Sequence, residues 1–173
     1  TLFPEQLVIN INKKIIIYFM NDIFLNIYNN LIKLTRNKSL YNSSKQDTFY
    51  DRMIILFFHL SFLFKEYKEV ENKDKIQKFF DYCIRQIELS IREIGYGDAT
   101  INKKMKDYVN LLFSIINKID KWDIKNDDEK LEIIKIYIED SYNCKSYLDY
   151  FEKFRVFLSK NTFNNLTKDI ITK

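Results

Sequence analysis

A chain of 173 residues fits one domain, and at this size folding buries roughly 70% of the surface the unfolded chain exposes, so a core is within reach without staples. Hydrophobic residues at 46% and charged ones at 30% exclude the composition of disorder, and one proline with two glycines is too few for the turns of a sandwich or barrel. The formal charge of +4 does not by itself point to nucleic acid: basic and acidic residues alternate along most segments, and the Lys, Ile, Asn, Tyr and Phe excess is what AT-biased codons produce.

In chain order, Ile16, Phe19, Met20, Ile23, Ile27, Leu31 and Leu34 recur at helical spacing and predict a first long helix over Ile15 to Leu34. The polar stretch Arg36 to Gln46 reads as a loop, with Asp47 or Thr48 placed to cap a second helix. That helix, running to about Tyr67, carries a core stripe of Phe49, Met53, Leu56, Phe57, Leu60, Leu63, Phe64 and Tyr67. A second row, Arg52, Ile55, His59, Phe62 and Glu66, lies on another side. A helix apolar on more than one face is either the centre of a bundle or keeps a face for a partner. Its greasiest run, Met53 to Phe64, is flanked by charges and is shorter than the roughly 20 residues that span a bilayer.

The third helix shows one continuous stripe, Ile76, Phe79, Phe80, Cys83, Ile84, Ile87, Ile91 and Ile94, with Asp81–Arg85 and Glu88–Arg92 as i,i+4 pairs on the polar side. Both glycines come next. Gly95 stands where a residue of positive φ closes a helix, and Gly97 allows a tight turn or a close approach. Asp98 or Thr100 can then cap a fourth helix through Ile101, Met105, Tyr108, Leu112, Ile115, Ile119 and Trp122, making a helix hairpin that turns at Gly95 to Asp98.

Asp123 to Glu129 is an acidic loop. Lys130 to Asp140 fits both strand alternation and a helix, and the helices on either side favour helix. A last helix, Lys145 to Lys160, bears an aromatic band wider than one core contact needs, Tyr147, Tyr150, Phe151, Phe154 and Phe157 with Leu158; Asn161 to Lys173 reads as a short helix or a frayed tail. The expectation is therefore an all-α single-domain bundle of five to seven helices over residues 1–173. The chain opens on Thr1, which leaves room for an upstream segment, and no signal-peptide pattern is visible.

Chemistry is sparse. The glycine pair fails as a dinucleotide loop because Thr100 stands where the third glycine belongs, a helix precedes it, and Asp98 would repel phosphate. Cys83 and Cys144 are far apart and read as reduced thiols; one histidine offers no metal spacing. His59, inside the most apolar run, reads first as a satisfied core histidine and second as an interface group. The pairs Asp127–Asp128 and Glu139–Asp140 sit in polar segments without the surroundings that shift a pKa. No catalytic, cofactor or metal residue is assigned. Lys103, Lys104 and Lys106 are the exception to the bland reading: on the first turns of a helix they oppose its dipole, so a partner or a tertiary acid is expected to offset them.

The string FFDYCIRQIELSIREIGYGDATINKKMKDYVNLLFSIINKID, Phe79 to Asp120, resembles the signature of the ubiquinol-cytochrome c chaperone family, bacterial and mitochondrial assembly factors of the bc1 complex. Arg92, Glu93, Gly95, Gly97, Asp98, Lys103, Lys104 and Met105 match in place, and upstream Arg52 and His59 match an arginine seven residues before a histidine. The likeness spans about residues 40 to 122. It departs at Tyr96, where relatives tend to have a shorter aliphatic residue, and at Phe113 to Ile115, where they have an aromatic-Gly-Arg turn.

The resemblance implies a non-enzymatic, all-helical chaperone without cofactor that binds newly made cytochrome b or other bc1 subunits. It acts peripherally at the inner face of the inner membrane, in the cytoplasm or on the matrix side in an organelle, with a small assembly partner and the ribosome as further contacts. Partner-binding candidates are Arg52, His59, Arg92, Glu93, Asp98, Lys103, Lys104 and Lys106. The alternative from a different class is a helical RNA- or ribosome-binding module using the basic face after the glycine turn.

Overall fold

The computed structural model describes residues 5–41, 47–69, 71, 73–138 and 144–168. Its helices are α1 (Glu5–Thr35), α2 (Phe49–Tyr67), α3 (Lys73–Glu93), α4 (Asp98–Asp120), α5 (Asp127–Tyr137) and α6 (Cys144–Ser159). Three short 3₁₀ turns, Lys38–Leu40, Trp122–Ile124 and Phe163–Thr167, complete them, and no strand occurs among the described residues. The all-α reading holds, including the helix at α5. The side chain of Ile16, the pair Glu139–Asp140 and the tail beyond 168 lie outside the described residues.

Helix α2 carries the longest apolar run, and every residue from Met53 to Phe64 is buried. Of the two readings open for such a helix, the central one is correct: α1, α4 and α6 pack around it. Burying a side chain such as Leu60 or Phe57 contributes roughly 1.5–3 kcal/mol, so this one helix supplies much of the core. Its start is set by Thr48, whose hydroxyl accepts the Asp51 amide at 3.1 Å while the Asp51 carboxylate accepts the Thr48 amide at 3.1 Å, a capping box.

The α3–α4 hairpin turns as expected at the glycines. Gly95 has φ 95°, and its amide donates to the Arg92 carbonyl at 2.9 Å. Gly97 has φ −70° and ψ 156° and is itself the N-cap of α4, so neither Asp98 nor Thr100 caps the helix: Asp98 is already its first residue. At the edges of the stripes, Phe49 and Ile94 are exposed because they lie in a first turn and past a helix end. Asp81 accepts from Gln77, and Arg85 turns to Glu88 at 3.6 Å, while the Glu88–Arg92 pair forms at 2.8 Å.

The connections are more structured than their composition suggests. In the stretch read as a loop, Leu40 is buried and its carbonyl accepts from the Tyr147 hydroxyl. Trp122 lies beyond α4 in its own turn, fully buried, with its indole N–H on Glu152 at 2.9 Å. The final turn is anchored rather than frayed: Phe163 and Leu166 are buried, and Asn30 Nδ2 donates to the carbonyls of Leu166 at 2.9 Å and Lys168 at 2.8 Å. The aromatic band of α6 also faces inward. Tyr147, Phe151 and Phe154 are buried and Tyr150 and Phe157 half-buried against the core, so the width serves a central helix that needs covering.

Candidate functional site

The glycine corner brings some of the candidate charges together. Arg92, at the end of α3, reaches Glu88 on its own helix and crosses the turn to Asp98 at 2.7 Å. The hydrogen bonds its guanidinium donates to Asp98 and Glu88 favour the charged form, and the bridge clamps the two helix ends across the bend. Lys104 lies over the Tyr96 ring, 4.6 Å from its centroid, a cation–π contact that holds the ammonium against the corner. Glu93, Lys103 and Lys106 are exposed, and no ion pair or side-chain hydrogen bond reaches them among the described residues. The tertiary acid expected to offset Lys103 and Lys106 is not found among those residues. Yet residues 88–107 contain four basic and four acidic side chains, so the corner as a whole is neutral.

His59 is not at this corner or at any surface. It is fully buried between α2 and α6, with Nδ1 donating to the Ile55 carbonyl at 2.7 Å and Nε2 accepting from the Tyr150 hydroxyl at 2.8 Å. The rings of Tyr150, Phe151 and Phe154 meet it edge-on. Burial lowers its pKa from 6.5 to about 4, partly opposed by the bond to Ile55. The ring is neutral and saturated with partners, which leaves it no lone pair for a ligand or an incoming proton.

Arg52 stands apart from both. It grips Asp47 through two parallel contacts, Nε at 2.6 Å and Nη2 at 2.5 Å, and it rims a cavity of about 170 Å³ between α1, α2 and α3. Ile87 and Ser90, just upstream of Arg92 on α3, close that cavity from the far side.

A larger depression was not anticipated from the sequence. Phe64, Ile76, Phe80, Phe113 and Ile116 line an open groove of about 360 Å³ formed by α2, α3 and α4. Phe80 and Phe113 meet at 5.5 Å between ring centroids, and Phe113 is 48% exposed. Lys73 and Gln77 stand at its edge, while Lys68 is committed to Asp120. The signal was Phe113 itself, an aromatic residue outside the Leu112–Ile115–Ile119 stripe.

The groove, the cavity and the clamped hairpin are separate features of the bundle, and no group of metal-ligating side chains occurs among the described residues. Residues 43–134 match the family model described as ubiquinol-cytochrome C chaperone, a segment that contains α2, the glycine corner and α4. The chain belongs to the ubiquinol-cytochrome c chaperone family. The match extends the segment anticipated from the sequence into α5 and makes the chain a member of a chaperone family of the respiratory bc1 complex. The fold agrees: the crystal structure of the Cbp3 homolog from Brucella abortus superposes with a TM-score of 0.74 at 19% identity, covering 95% of this chain and 94% of that one. No sequence among curated proteins matches significantly. Among the described residues no helix is long and apolar enough to cross a membrane.

Proposed function

We propose that this family member is a non-enzymatic assembly chaperone that holds newly made cytochrome b, a membrane subunit of the bc1 complex, through the groove between α2, α3 and α4. The carrying observation is the exposed aromatic floor of that groove, with Phe113 turned to solvent at 48% in a domain whose other aromatic band is used internally. An apolar client segment laid there is shielded from water until it is inserted, which is the service a membrane subunit needs between synthesis and assembly. The place of action is the membrane face where the client is made, reached as a peripheral protein with a small assembly partner or the ribosome alongside.

The neutral total of the glycine corner is why this reading stands ahead of an RNA-binding module, which needs an uncompensated basic strip. Deleting the gene lowers haem-loaded cytochrome b, and the wild-type gene restores it. Phe113→Lys, at an exposed position, restores less than half while leaving thermal stability unchanged. Normal cytochrome b in the deletion strain, or full rescue by Phe113→Lys, would overturn the reading.

A further inference from the structure

The cavity beside Arg52 is used by neither the groove nor the glycine corner, and its chemistry is different from both. Its inner wall is apolar, with Ile32, Met53, Leu56 and Ile87. The hydroxyls at its edge are spent on their own helices: Thr35 donates to the Ile32 carbonyl at 2.8 Å and Ser90 to the Gln86 carbonyl at 3.0 Å. The uncommitted cation at the mouth is Arg36, and the Tyr28 side chain also lines the cavity. The Arg36 side chain is exposed and makes no ion pair or hydrogen bond among the described residues. Arg52 is already held by Asp47 through two parallel contacts, so the group at the rim free to take another acid is Arg36.

The surrounding sequence deepens the imbalance. Residues 33–52 hold five basic side chains and two carboxylates, against four and four at the glycine corner. One of those two, Asp51, is committed to the capping box with Thr48.

We infer that this cavity takes a single large apolar side chain of a client polypeptide, with an adjacent carboxylate of the same segment held by Arg36. A volume of about 170 Å³ suits one side chain and falls below the roughly 300 Å³ at which pockets begin to take larger ligands. A guanidinium matches a carboxylate through two parallel N–H···O contacts, the geometry Arg52 shows on Asp47, and Arg36 is the rim guanidinium free to repeat it. The occupant is therefore an acidic-apolar motif, distinct from the wholly apolar stretch suited to the groove. This inference rests on the client-binding reading.

The test uses the full chain and a fluorescein-labelled synthetic peptide with Glu-Phe-Glu at the centre of a Gly-Ser background, read by anisotropy. Replacing both Glu by Gln, or Phe by Ala, weakens binding about tenfold, and Arg36→Gln does the same to the original peptide. Lys103→Gln with Lys106→Gln leaves it unchanged. Arg36→Glu restores binding to a Lys-Phe-Lys peptide, which separates a direct contact from damage to the fold. Equal binding of the Glu and Gln peptides, wild-type affinity in Arg36→Gln, or an equal loss in the corner variant would overturn the inference; the last result would assign the acid to the corner. None of these outcomes touches cytochrome b levels in the deletion strain, so the client reading stands or falls separately.

Discussion

His59 donates its Nδ1 proton to one carbonyl and accepts a hydroxyl proton on Nε2, an arrangement that only the neutral ring satisfies. Its pKa falls from 6.5 to about 4 on folding, so between those values the unfolded chain binds the extra proton and the native state does not. Stability from this residue is complete above pH 6.5 and is lost as pH falls toward 4, at about 1.4 kcal/mol per pH unit. In urea unfolding, the drop in stability from pH 7 to pH 5 should therefore shrink by about 2 kcal/mol in His59→Gln, because the common contribution of the carboxylates cancels between the two proteins. An unchanged drop would show a ring already protonated in the native state. The apolar neighbours alone place this histidine in the core, but the Tyr150 hydroxyl that completes it lies ninety-one residues away, and no local pattern carries that. Its likeness to a family position thus reflects a structural role, whereas Arg52, seven residues earlier on the same helix, reaches the surface.

At the scale of elements, the glycine hairpin makes the sharpest contrast. Gly95 has φ 95°, and nothing lies within 4 Å of the position an alanine methyl would take, so the only obstacle to alanine there is the backbone itself. Gly95→Ala should cost about 1 kcal/mol. Gly97 has an ordinary φ of −70° at the N-cap, again with nothing close by, and a serine there would add the missing side-chain acceptor for the first turn of α4. Gly97→Ser should stabilise by a few tenths of a kcal/mol. Thermal melts of the two variants moving in the same direction would break this account of the corner. Glycine scarcity made the turn legible, and helical spacing gave α3 and α4, since both are properties of neighbouring residues. The cap falls one residue earlier than the local pattern suggests: Gly97 holds it, and Asp98, already helical, bonds Arg92 across the bend. The groove was invisible for a related reason: Phe80 and Phe113 belong to different helices, and only the hairpin brings them to 5.5 Å.

Across the whole molecule, the bundle is closed by its last turn rather than by another helix. Phe163 fills a space shared by Phe24 of α1, Phe79 of α3 and Tyr67 of α2, and Lys75 lies over its ring at 4.7 Å. Asn30, buried on α1, holds the end of the turn through the carbonyls of Leu166 and Lys168, and Lys75 donates to Asn164 Oδ1 at 3.1 Å. A polar residue at Asn30, between the core positions Ile27 and Leu31, looks like a defect in the stripe until the tail is placed against it. Asn30→Ala removes both donors and leaves the buried Leu166 carbonyl without its partner, at a cost of about 1–3 kcal/mol. The loss should be local first: in hydrogen exchange, amides of the Phe163–Thr167 turn lose protection while those in the middle of α2 keep theirs until global unfolding. Asn29→Ala, one position away on the exposed side, serves as the control and should change neither. Equal loss of protection in α2 would mean that the turn is an integral part of the core, and that the client groove built on α2 and α3 depends on it as well.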